Sequence, residues 1–260
     1  MNVTYAQTNI QLFKQLHGDG YSATELVLIC DAYALATRLY SGYFLASGRT
    51  EIAHVVGTAS ILGVLKVPAP VVAAGLIHNV YDNGDFGSYR YGVTAAKRKV
   101  IVRVVGKEVE SYVQRFHVLK TKQPSLSTLI GDIEKVDSIE RGALLIDLSE
   151  HLEHHLNDGG LRSYTKYMDR NGYMMADVAQ RLEFPYLADA IRDAIKDSTA
   201  DSCIVRELAE RSRGNRSPWI VPASCRKTFN AAMIQGFRRV GRNRIVRRVR
   251  GVFGNLGLVK

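Results

Sequence analysis

Cysteine and proline are scarce in this chain, and no long apolar run occurs. Three cysteines in 260 residues, Cys30, Cys203 and Cys225, are an odd number without close spacing. That excludes a disulfide scaffold and a zinc ribbon and makes a reducing compartment the expectation. The most apolar stretch, "LGVLKVPAPVVAAGLIH", is interrupted by Lys66 and two prolines and falls short of a membrane span. The opening "MNVTYAQTNIQLFKQLH" has no apolar core of signal-peptide type, so a cytoplasmic protein is expected. Acid is absent from the last fifty residues: Arg211 to Lys260 hold thirteen of the 35 Lys and Arg residues and no Asp or Glu. The preceding residues carry the other twenty-two basic side chains against all 25 acidic ones. The net charge of +10 therefore belongs to the tail and not to the body.

Alternation of apolar and polar residues never lasts long enough for a sheet, whereas helical periodicity recurs throughout. Ser22 and Glu25 form a capping box ahead of "ELVLICDAYALATRLYSGYFLA". Thr50 can cap "EIAHVVGTASILGVL", whose apolar face is wide. Pro68 and Pro70 suit the first turn of "PVVAAGLIHNVY", which ends against the turn signal "DNGDFG". Helices follow in "TAAKRKVIVRVV", in "GKEVESYVQRFH", from about Ile133 to Leu156, and from Leu161 to Glu210 with a break at Glu183-Phe184-Pro185. The expected organisation is an N-terminal arm (1–20), an all-α domain (21–210), a Gly-, Ser- and Pro-dense linker (211–225) and a basic amphipathic helical tail (226–260).

Chemistry is sought first among the histidines. His54 and His78 lie on successive apolar helices, and "DLSEHLEHH" (Asp147 to His155) follows on a long one. Within that cluster His151 and His155, and Glu150 and His154, are four apart and share helix faces. Without a distant third ligand, such spacing is expected to mark a solvated polar face.

The order "SGRTEIAH", "VAAGLIHNVYDNG", "VVGKEVESYV", "ALLIDLSEHLEHH", spanning roughly Tyr40 to Leu156, resembles the HD metal-dependent phosphohydrolases. In detail it is similar to the hydrolase domain of the bifunctional guanosine-tetraphosphate enzymes. It is closer still to a group of bacterial HD-like domains of unknown function. The resemblance implies an HD-domain-like helical bundle in which two histidines and two aspartates hold one divalent ion, often manganese. Carried over, the histidines are His54 and His78, the first aspartate position is Asn79, and the last falls on Glu150, with Asp147 one turn away. The pair that acts on the attacking water falls on Asp82 and Asn83. An arginine that meets the nucleotide base falls on Leu45.

An amide at position 79 can coordinate a hard cation but brings no charge. Two imidazoles with one carboxylate suit Zn²⁺ or Fe²⁺, so manganese, zinc and iron all stay open. Asp82, four residues after His78, shares its face if that helix continues, and would restore the charge or deprotonate a metal-bound water. Arg49 and the "KRK" run Lys97, Arg98 and Lys99 are candidates for phosphate contact. The leading expectation is a metal-dependent hydrolase of a phosphorylated small molecule or nucleotide. Its rival is a non-catalytic HD-like domain that binds a ligand or partner and is tethered by the tail. An HD-type iron oxygenase would need more His and Asp ligands than the sequence offers. The tail suits an anionic membrane surface or docking on the body. It lacks the aromatic array of a single-strand nucleic-acid binder, which makes nucleic acid the weaker partner.

Overall fold

The computed structural model describes residues 5–45, 49–87, 92–122, 131, 133–158 and 163–200. The linker, the basic tail and the last ten residues of the expected domain lie outside them. The protein is all-α, and the described residues hold no strand, only one antiparallel bridge between Phe44 and Thr50. The helices are α1 (Asn9–Gly18), α2 (Ala23–Tyr40), α3 (Glu51–Val64), α4 (Ala69–Ile77), the single turn α5 (Val80–Asn83) and α6 (Ala95–Lys122). A 3₁₀ turn at Ile133–Lys135 precedes α7 (Ser138–Asp158), α8 (Ser163–Arg181) and α9 (Pro185–Ala200).

Helix starts follow the capping chemistry. Ser22 and Glu25 close their box, with the Ser22 N–H donating to the Glu25 carboxylate at 2.8 Å. The Thr50 hydroxyl accepts from the Ala53 N–H at 3.2 Å. Pro70 sits in the first turn of α4, where its missing N–H leaves no partner unmet. α1, in the segment expected as an arm, buries Leu12 and Leu16 and packs on α3 and α2.

α4 is the hub. Its sequence, "APVVAAGLI", is apolar all round, and a helix of that kind needs cover on every side. α2, α3, α6 and α7 supply it. α3 is nearly as enclosed, buried from His54 through Gly63. α8 and α9 pair with each other and pack on α7.

Two helix ends differ from the sequence expectation, and the break expected between "TAAKRKVIVRVV" and "GKEVESYVQRFH" is present. α2 stops at Tyr40 and not near Ala46, because Ser41 leaves helical geometry and Gly42 adopts φ +76°. The chain then doubles back through the Phe44–Thr50 bridge, so Arg49 and Thr50 arrive at the start of α3. α4 stops at Ile77 and does not run on to Tyr81. The His78 ring N–H donates to the Gly75 carbonyl at 2.6 Å, taking one of the acceptors left free at a helix C-terminus. α6 joins two helical arms, 95–105 and 107–122, through Gly106 at φ +84°, ψ +168°.

That backbone region is open essentially to glycine alone, and a Cβ at position 106 would meet nothing within 4 Å. Gly106→Ala therefore isolates backbone cost from packing. It is expected to lower stability in urea unfolding by about 1–3 kcal/mol. A variant as stable as the parent would show that the two arms do not depend on this conformation.

Candidate metal centre

His54 on α3 and His78 at the C-terminal cap of α4 converge, and each has one ring nitrogen tied off. His54 Nδ1 faces Glu153 Oε2 at 2.5 Å, and His78 Nδ1 donates to the Gly75 carbonyl. Carboxylate or carbonyl partners of this kind fix the tautomer and ring orientation of metal-bound histidines. The two free nitrogens, both Nε2, then face each other at 3.3 Å. Glu150 Oε1 completes a triangle, 3.9 Å from His54 Nε2 and 3.7 Å from His78 Nε2.

The size of that triangle decides its chemistry. Two imidazole lone pairs at 3.3 Å repel unless a proton or a cation lies between them. Sides of 3.3, 3.7 and 3.9 Å place the centre about 2.1 Å from each corner, within the usual range of zinc–nitrogen and zinc–carboxylate bonds. Burial, and then the charge of neighbouring His154, push the His54 imidazole below its ordinary range, so it is neutral at pH 7 and its lone pair is available. Burial alone would raise Glu150. The Lys120 ammonium, His154 and His78 outweigh burial and hold its carboxyl well below the usual carboxylate range. The three residues could therefore hold a metal ion.

A second buried trio, His54, Glu153 and His154, shares one imidazole with the first. The His154 ring stacks on His54 at 4.2 Å between centroids. Glu153 is already committed: it ion-pairs with Arg49, accepts from Asn157 Nδ2 at 3.1 Å and faces His54. Burial alone would raise its carboxyl, but His54 and Arg49 outweigh burial and lower it. Its seat depends on a glycine, since a Cβ at Gly57 would stand 2.6 Å from Glu153 Oε1 and 2.8 Å from its Cγ.

Asn79 is 2% exposed and faces two ways. Its Nδ2 donates to Glu51 Oε1 at 3.0 Å, and its Oδ1 accepts from Lys120 Nζ at 2.9 Å. Asn83 Nδ2 donates to the same Glu51 oxygen at 3.1 Å, while Tyr43 donates to Asn83 Oδ1 at 3.2 Å. An aspartate at 79 would set a second carboxylate against Glu51, so the amide answers its neighbour. Lys120 also reaches Glu150 Oε1, at 3.0 Å. Tyr40, fully enclosed at the end of α2, has its phenol pushed well up by burial and then by Glu51, Asp82 and Glu150.

The other sequence candidates fall elsewhere. Asp82 would share a face with His78 only on a continuous helix. α4 breaks at His78-Asn79, and the Asp82 carboxylate pairs instead with His117 on α6 at 3.2 Å. Asp147 lies near His151, at 3.9 Å, and outside both trios. Burial raises its carboxyl. Arg49 spends one nitrogen on Glu153, while its Nη1 is buried with no protein partner. Lys97 is turned inward and donates to the carbonyls of Gly92 and Tyr81 at 3.0 and 3.4 Å. Arg98 is bidentate to Glu110, which also accepts from the Tyr81 hydroxyl at 2.6 Å. Lys99 is exposed.

"EHLEHH" is not a solvated face. Glu150, Glu153, His154 and His155 are all buried, and His155 Nε2 bonds the Ala194 carbonyl at 2.9 Å. Glu51 and Glu153 lie inside "SGRTEIAH" and "DLSEHLEHH" without a role of their own there, and Lys120 lies outside every motif. Each becomes visible only when α3, α6 and α7 are packed together.

Residues 37–120 are similar to a family described as a domain of unknown function (DUF6817). The matched segment contains His54, His78, Asn79 and Lys120 and stops before the acids of α7. No curated protein matches the chain.

Gly57→Ala and Glu153→Gln are each expected to destabilise by roughly 1–3 kcal/mol in urea unfolding. The double variant should lose less than the sum, because one substitution already unseats the group that the other removes. Strict additivity would separate Gly57 from the carboxylate. A pH series in chelator gives a second check. His54 is depressed in the folded state, so its contribution is complete above pH about 6.5 and is lost as pH falls below that. Glu150 and Glu153, depressed as well, add a further loss below pH about 4.3. The urea midpoint should be flat above neutrality, decline on mild acidification and drop more steeply below that second value. A midpoint that climbs between pH 7 and 6 would contradict a neutral buried His54.

Proposed function

We infer that His54, His78 and Glu150 bind one divalent metal ion and that the chain is an HD-type hydrolase of a phosphorylated small molecule or nucleotide. The observation that carries this is the convergence of three donor atoms on one point while the opposite nitrogen of each imidazole is tied off. A bound ion would lower the pKa of a coordinated water and polarise a phosphoryl oxygen. Two nitrogens and one carboxylate suit zinc or iron, and manganese is admitted by the oxygen donors nearby. Asn79 belongs to the surround and not to the ligands, since Glu51 and Lys120 take both ends of its amide. Asp82, held by His117, is the acid left for accepting a proton. Arg49, with a buried N–H lacking a partner, supports an anionic ligand.

A second reading rests on Lys120. Its ammonium bridges Asn79 and Glu150 and satisfies both without metal. A non-catalytic domain that binds a ligand or partner, tethered by the basic tail, would need no more than that. We further propose a cytoplasmic location, with the basic tail in peripheral contact with an anionic membrane surface. No helix among the described residues is long and apolar enough to cross a membrane.

Metal analysis of protein purified without chelator separates the readings. The hydrolase reading expects about one equivalent of transition metal, lost in His54→Ala and His78→Ala, together with phosphate release from a panel of nucleotides and sugar phosphates that chelator abolishes. Less than about a tenth of an equivalent, unchanged by His54→Ala, would favour the non-catalytic domain.

A further inference from the structure

The third corner of the donor triangle is already in use. Glu150 Oε1 is the oxygen that faces both histidine Nε2 atoms, and it is also the oxygen to which Lys120 donates at 3.0 Å. The second acceptor of that ammonium, Asn79 Oδ1, lies 2.9 Å away. We propose that Lys120 is a resident counter-cation that competes with the divalent ion for Glu150 and thereby sets the metal affinity of the centre. The inference rests on the metal reading above.

Charge and distance carry it. Each carboxylate of α7 in the cluster has one cation, Glu153 with Arg49 and Glu150 with Lys120, so both are paired before any ion enters. An ion bonded to Glu150 Oε1 at about 2.1 Å would lie no more than about 5 Å from an ammonium 3.0 Å from the same oxygen. Two like charges at that separation beside a buried carboxylate repel strongly. One lone-pair-bearing oxygen would have to serve both.

The lysine can leave. Its side chain is 31% exposed, whereas Glu150 is 3% exposed and both imidazoles are fully enclosed. Its four-carbon stem is flexible, and its ammonium passes over the Phe116 ring at 5.3 Å. The same ring meets His78 edge-on at 5.0 Å. Arg49, by contrast, holds Glu153 on the Nδ1 side of His54, away from the triangle. Lys120 is therefore the charge that metal entry displaces, and Asn79 is neutral because it serves that ammonium at one end and Glu51 at the other.

The full chain, stripped with chelator, is titrated with Co²⁺ and followed by the visible absorption of the bound ion. Lys120→Met is expected to raise Co²⁺ affinity by about tenfold or more, and Lys120→Arg to stay within about threefold of the parent. Binding by Lys120→Met alone would also support the competition. Equal or weaker binding by Lys120→Met, with binding lost in His78→Ala, would overturn it and leave the metal reading standing. No binding by the parent or by Lys120→Met would overturn both. A measurement on the parent guards against a variant that does not fold: acetylation of Lys120 by an amine reagent, read by mass spectrometry with and without saturating Co²⁺. The ion should speed modification of Lys120 severalfold while exposed Lys99 is unchanged. An unchanged or slower rate at Lys120 would sink the proposal.

Discussion

Glu153 sits almost fully enclosed on α7, and a charge in that position costs several kcal/mol unless it is paired. Much of the surrounding architecture answers that cost. The α2–α3 loop doubles back and delivers Arg49. His54 donates from the second turn of α3, Asn157 reaches back along α7, and Gly57 withholds a side chain so that the carboxylate fits. Once Glu153 is fixed, the His54 ring is fixed, its Nε2 points toward His78, and the geometry of the triangle follows.

Asn79 draws its meaning from the same electrostatics. Beside a buried Glu51, an aspartate would add like charge in a medium that screens it poorly. The amide offers a donor to Glu51 and an acceptor to Lys120, and only a side chain with both can do so at this length. The amide of Asn79, the ammonium of Lys120 and the carboxylate of Glu51 form one arrangement drawn from α3, α6 and the turn after α4. Substituting any of them alone would leave a buried partner unsatisfied.

Much of the fold was legible in the sequence because it depends on local rules. The capping box at Ser22, the Thr50 cap, the prolines opening α4 and the break before Pro185 each act within a few residues. His54 and His78 were legible as histidines on successive helices, and Glu150, with Asp147 as its alternative, only through the resemblance to HD-type sequences. The remainder depends on contacts distant in sequence. Whether "EHLEHH" faces water or core is decided by α3, α6 and α9, and periodicity alone could not show it. The end of α4 turned on one ring N–H bonding a carbonyl three residues back, and that redirected Asp82 to His117. Lys120 sits in an ordinary amphipathic helix, and only the Gly106 break and the packing of α6 on α7 bring it to Glu150.

The centre draws its donors from α3, α7 and the turn after α4, with Lys120 arriving on α6, and none of these elements carries the whole of it. A partial opening that frees α7 removes both carboxylates at once, and one that frees α3 removes His54 along with its partner contacts. The donor geometry is thus a property of the closed core and not of any single segment. Ring-nitrogen protons at His54 and His78 should accordingly exchange with solvent only through openings that breach the core, which makes the two imidazoles natural reporters of its integrity.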